Sequence, residues 1–192
     1  MSASKENYNF QKIVAVVGVL LFAIKIVAWY LTDSVAILTD ALESIVNVTA
    51  GFIGLYSLYL SAQPRDANHP YGHGKVEFVS AAIEGTLITI AGFLIIYEAI
   101  NNLRNPHEIS KLDYGIVLVG ITAIINYAVG YIAVKKGEKN NSLALIASGK
   151  HLQSDTYTTF GIIIGLGLIL VTNLTWLDSV VALIFAFVII VT

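Results

Sequence analysis

The stretch SVAILTDALESIVNVTAGFIGLYSLYLSA, residues 34–62, decides the fold. From Ser44 to Pro64 no residue is charged, and about 20 mostly apolar residues suffice for a helix to cross the hydrocarbon layer of a bilayer. In water such a run would have to be buried on all sides. A chain of 192 residues with only 11 basic and 13 acidic side chains lacks the polar surface to bury it. Hydrophobic residues make up 56% of the chain and the mean hydropathy is +0.76, so lipid is its solvent and soluble globular classes are excluded.

Outward from this stretch the same signal recurs. Further apolar segments cover approximately 13–31, 76–103, 114–134, 143–171 and 176–192; Tyr114 to Val134 and Thr156 to Leu177 are again free of charge. The reading is an all-α polytopic membrane protein of six transmembrane helices, forming one transmembrane domain over 1–192. The last segment, Val180 to Thr192, is still apolar where the sequence stops, which reads as a truncated sixth span. Met1 to Gln11 is polar and lacks the apolar core and cleavage site of a signal peptide, so it is expected to be a retained lead-in. Lys5, Lys12, Arg65, Lys75, Lys135, Lys136 and Lys139 fall on one side of the membrane, and only Arg104 and Lys111 on the other. The excess of positive charge places both termini in the cytoplasm. A net charge of -2 with a pI near 6.0 leaves no basic field for nucleic acid. With no cysteine, disulfides, thiolate sites and Fe–S clusters are excluded, and any metal must be held by His, Asp, Glu or Asn.

Charge inside a bilayer costs roughly 2.5 to 3.5 kcal/mol per group on insertion scales, so in-span ionisable residues call for partners or a function. Asp40, Glu43 and Asn47 share one face of the second span, at helical spacings of three and four. On the fifth span His151 and Asp155 are four apart, one turn from each other. If the two faces meet, Glu43, Asn47, His151 and Asp155 offer three oxygens and one nitrogen, a set suited to a four-coordinate divalent ion at about 2 Å. Each pair could instead be a hydrogen-bonded link between helices. Two such pairs in apolar spans are harder to explain as independent links than as halves of one site. Lys25 and Glu84 stand singly within spans, where a charge pair or a proton relay is open to them, and structural charge pairing is the favoured reading. The loop QPRDANHPYGHGK, residues 63–75, packs Asp66, His69 and His73 into eight residues, consistent with either a polar turn or a second metal site. His107 reads as a solvated loop residue.

Together these residues resemble the cation diffusion facilitators, a family of divalent-metal/proton antiporters. The resemblance covers nearly the whole chain and rests on SVAILTDALES followed by Asn47, on HPYGHGKVE at 69–77, and on HLQSD at 151–155. It implies a transport site of Glu43, Asn47, His151 and Asp155, with Asp40 as an acid behind it. It also implies a second site of Asp66, His69 and His73 near the cytoplasmic surface, occupied only in some members. The implied activity is efflux of a divalent cation by proton antiport with alternating access, not enzymatic catalysis. Zinc or iron(II) is favoured by the histidine, with cobalt and cadmium also accommodated. Homodimers in a bacterial inner (plasma) membrane are implied, with Lys75 and Glu77 at an interhelical or intersubunit charge link. Two departures stand out: many relatives carry two carboxylates, or a His and an Asp, where this chain has Glu43 and Asn47, and the soluble carboxyl-terminal domain of the family is absent from this sequence. Competing functions are an intramembrane metal-dependent hydrolase, for which no HExxH pairing is found, and a non-transporting metal-sensing membrane scaffold.

Overall fold

A computed structural model describes residues 3–61, 70, 73, 75–106, 109–140 and 142–191. The elements run α1 (Ala3–Thr32), α2 (Val35–Ser61), α3 (Val76–Arg104), α4 (Leu112–Lys139), α5 (Leu143–Thr172) and α6 (Trp176–Val191). Among the described residues there is no strand, as expected where every backbone polar group must be satisfied within its own segment. Helices α1 to α5 are each long and apolar enough to cross a membrane, and α6 is a shorter apolar helix of 16 residues. The chain is an all-α polytopic membrane protein.

Helix lengths depart from the apolar runs in an instructive way. The polar lead-in is not a separate segment: from Ala3 it is the first part of α1, because nothing between Ala3 and Val17 breaks a helix. Likewise α4 continues past Val134 through the lysines to Lys139. Hydropathy marks the thickness of lipid, whereas a helix ends only where a cap or a breaker stops it. The tight junctions use left-handed residues, namely Asp33 (φ 57°) between α1 and α2 and Asn173 (φ 56°) after α5, whose N–H groups bond back to Trp29 O and Ile169 O. Asp and Asn tolerate this conformation better than most residues.

Packing divides the bundle in two. Helix α1 lies against α2 and α4, and α4 against α5 in the most extensive pairing of the molecule; α3 lies against α2 and α6. One apolar cluster, including Ala28, Ile37, Val119, Ile162 and Leu166, fills the space between α1, α2, α4 and α5 near the Asp33 turn. A second cluster, Val35, Ile95, Ala99, Ala182, Ala186 and Ile189, joins α2, α3 and α6. The outer faces carry exposed aliphatic and aromatic side chains such as Leu20, Phe93, Ile124, Ile164 and Phe187, which lipid would cover.

Helix α2 is also held at its start by a group that the sequence reading passed over. Asp178 of α6, fully buried, accepts hydrogen bonds from the Ser34 hydroxyl (2.6 Å), Val35 N–H (2.6 Å) and Ala36 N–H (3.3 Å). A carboxylate in this position satisfies the orphan donors of the first turn and complements the positive end of the helix dipole.

Candidate metal site

The second and fifth helices present their polar faces to each other as an antiparallel ladder. At its deepest rung the Thr159 hydroxyl donates to Asp40 Oδ1 at 2.9 Å. One turn along, the Thr158 hydroxyl lies 3.5 Å from Glu43 Oε2, and one turn further Asn47 Nδ2 donates to Asp155 Oδ2 at 3.2 Å. His151 Nε2 stands 3.8 Å from the other oxygen of Asp155. Spacings of three and four keep all these groups on facing stripes, so each helix contributes one edge of a single polar seam.

Asn47 and His151 thus both meet Asp155, whereas Glu43 reaches Thr158 one turn away. Among the described residues no three His, Asp or Glu side chains converge on one point. Asn47, His151 and Asp155 line a cavity of about 120 Å³, together with Ser44, Asn126 and Gln11. That is room for an ion with several waters, since a single water needs only ~10–15 Å³ by this measure. Glu43 lies off the cavity, towards Thr158. The Asp155 side chain is 11% exposed and that of His151 53%, so the acid lies deep and the imidazole stands at the mouth. The mouth faces the end of the bundle where α1 begins, and there Gln11 Nε2 donates to Ser148 Oγ of α5 at 3.0 Å.

Lys25, read from the sequence as a structural charge, has Asp40 as its partner. Its ammonium sits 2.9 Å from Asp40 Oδ1 and 2.8 Å from Ser44 Oγ, with both charged side chains only 1% exposed. Lys25 and Asp40 lie at almost equal distances on either side of the Asp33 turn, so the α1–α2 hairpin brings them level. Asp40 therefore spends its charge on Lys25, although its Oδ2 has no hydrogen-bond partner. Glu43 and Asp155, by contrast, face Thr158, and Asn47 with His151, respectively.

The side chain of Glu84, the other single in-span charge, lies outside the described residues, as do the side chain of Glu77 and the whole of Asp66, His69 and His107. His73 is described, in a bend whose carbonyl accepts from Val76 N–H at 3.1 Å, and Lys75 is exposed at the start of α3. Besides Asp178, the sequence reading missed the threonines of the ladder and Asn126. Asn126 is uncharged and lies within one of the charge-free runs, so a search for charges passes over it.

A family model described as the cation efflux transmembrane domain matches residues 12–192. The chain belongs to this family. Its members are transporters and not enzymes, which removes the hydrolase reading. Among relatives, an uncharacterized transporter of Synechocystis, sll1263, is 38% identical over 160 residues, covering 83% of this chain and 52% of that protein. The cation-efflux pump FieF of Klebsiella pneumoniae is 31% identical over 148 residues, covering 77% of this chain and 49% of the pump. FieF of Salmonella agona is 32% identical over 148 residues, with the same coverage. The chain spans about half the length of the curated relatives it matches.

Proposed function

We propose that this chain forms the transmembrane domain of a divalent-cation efflux transporter that exchanges zinc or iron(II) for protons by alternating access. The observation that carries this reading is the seam in which Asn47 of α2 meets Asp155 of α5 beside a cavity that also holds His151. An incoming cation takes over the Asp155 oxygens now shared by Asn47 and His151. Rotation of the Asn47 amide then turns its oxygen to the ion, and Glu43 swings in from Thr158 to complete two carboxylates, one amide and one imidazole. Two carboxylates and a neutral histidine balance a divalent charge, and an imidazole favours zinc, iron(II) or cobalt over magnesium or calcium, with cadmium also accommodated. Histidine and carboxylate bind either metal or proton, so protons arriving at His151 and Asp155 displace the cation and couple the two fluxes.

The open cavity at one end and the packed apolar cluster at the other correspond to one of the two access states. With both termini cytoplasmic, as the lysine distribution implies, that state opens to the cytoplasm. Asp40, paired with Lys25, stands behind the ligands and fixes α1 against α2. Asp66, His69 and His73 form a second metal site at the cytoplasmic surface, and the protein works as a homodimer in a bacterial inner membrane with Lys75 and Glu77 at a charge link. Proteoliposomes enclosing a metal-sensitive dye, with an imposed pH gradient, test the reading. Zinc or iron(II) flux is expected to follow the gradient and to disappear in Asp155→Ala and His151→Ala. Wild-type rates in both variants would overturn it, and metal binding without flux would favour the sensing scaffold.

A further inference from the structure

Asn126 of α4 is 4% exposed and lines the same cavity as Asn47, His151 and Asp155. Its position follows from a close backbone contact between α4 and α5. A Cβ on Gly130 would lie 2.7 Å from Gly149 O, and one on Gly149 would lie 2.6 Å from Gly130 O, so α4 and α5 touch through two glycines. Seven residues before Gly130 along α4, Ala123 O lies 3.4 Å from the Thr156 hydroxyl. These two contacts bracket Asn126 and set it level with the turn of α5 that carries Leu152 and Asp155. Nearby polar groups are engaged elsewhere: Thr122 bonds to Val119 O, Thr156 to Leu152 O and Asn47 to Asp155, although Gln11 Oε1 across the cavity is unpaired. The Asn126 amide has no hydrogen-bond partner among the described residues.

An amide that served only to join helices in lipid would spend its donors and acceptor on the neighbouring helix. An unpaired one is unfavourable in an apolar interior unless water or a ligand completes it. Its carbonyl is a neutral, hard oxygen that binds a cation without losing a proton or altering the charge balance of Glu43 and Asp155.

We propose that Asn126 supplies a further oxygen donor to the transported cation and selects for ions that take more than four ligands. The inference rests on the transport-site reading given above. With Glu43, Asn47, Asp155 and His151 the site then offers four oxygens and one nitrogen. Zinc is satisfied by four ligands, whereas cobalt(II) and iron(II) in oxygen-rich surroundings take five or six, so the fifth donor biases the site towards them.

Cobalt(II) chloride titrated into the detergent-purified chain reports ligand number directly, because four-coordinate cobalt absorbs visible light much more strongly than five- or six-coordinate cobalt. The wild-type protein is expected to give the weak spectrum, and Asn126→Leu, which keeps the branched shape without polar atoms, a band several-fold stronger. In proteoliposomes the same substitution should lower the ratio of cobalt to zinc transport ~10-fold, a typical cost of removing a supporting group at a metal site. Asn126→Asp retains an oxygen and should retain the weak spectrum. If Asn126→Leu does not fold, Asn126→Ala withdraws the donor with less disturbance and carries the same readings. A cobalt spectrum and cobalt-to-zinc ratio unchanged on loss of the amide would overturn the proposal. Absence of flux in the wild-type protein would refute transport instead, while the spectrum would still report whether Asn126 is a ligand.

Discussion

The two ends of the α1, α2, α4, α5 group are built on opposite principles. Towards the Asp33 turn, Ile37, Val119, Ile162 and Leu166 are wholly buried, and Asp178 ties down the start of α2 with three hydrogen bonds. Towards the start of α1 a cavity lined in part by polar groups opens between α1, α2 and the α4–α5 pair, bridged by contacts such as Gln11 to Ser148, while α4 and α5 stay in contact through Gly130 and Gly149. Side chains at the first end satisfy one another, whereas at the second they leave amide, imidazole and carboxylate groups facing open space. On the proposed reading, the contrast assigns cation affinity and release to the loosely joined half and leaves the tight half as a fixed reference for that motion.

The largest effect is expected in the loose half. Asp155→Ala removes the acid that Asn47 and His151 share, and isothermal titration with zinc should show affinity falling at least ~100-fold, towards the upper range for groups that support metal sites. Next is the tight half: Asp178→Ala strands the Val35 and Ala36 N–H groups and the Ser34 hydroxyl, which should cost about 1–3 kcal/mol for each group left unsatisfied. Thermal unfolding in detergent should therefore drop by several degrees, with zinc affinity at 25 °C less affected than in Asp155→Ala. An equal loss of affinity would show that the two halves are not separable.

Between the halves lies the Lys25–Asp40 pair. Lys25→Leu leaves a buried carboxylate without its counter-charge and should destabilise by about 3–5 kcal/mol, whereas Lys25→Leu with Asp40→Leu should recover most of that loss. If the double variant remained as unstable as the single one, charge neutralisation would not be what the pair contributes. The smallest effect belongs to the mouth, where Gln11→Ala removes one partly exposed hydrogen bond and should change stability by about 0.5–1.5 kcal/mol or less.

How much of this was legible beforehand depends on the kind of signal. Long apolar runs announce membrane helices because lipid imposes a minimum length, and the three-and-four spacing of Asp40, Glu43, Asn47 and of His151, Asp155 places each set on a face. Their meeting across α2 and α5 was an inference that the Asn47–Asp155 contact makes concrete. Spacing within a helix says nothing about groups that meet through a turn, which is why the partner of Lys25 was not seen. The partners of Asp178 were hidden more deeply, since they are a hydroxyl and two backbone groups 142 to 144 residues away in sequence. Asn126 was hidden by its neutrality, having no charge to mark it within an apolar span. Helix ends were obscured because polar residues at the membrane surface continue a helix as readily as they leave it.

The central claim is that the acidic face of α2 and the His–Asp pair of α5 grip one cation between them. Anomalous scattering at the zinc edge, from crystals of the zinc-loaded protein, tests it most directly. The account predicts one peak between α2 and α5, within bonding distance of Glu43, Asn47, His151 and Asp155. A zinc ion held by groups of only one of these helices, or lying outside the seam altogether, would contradict it.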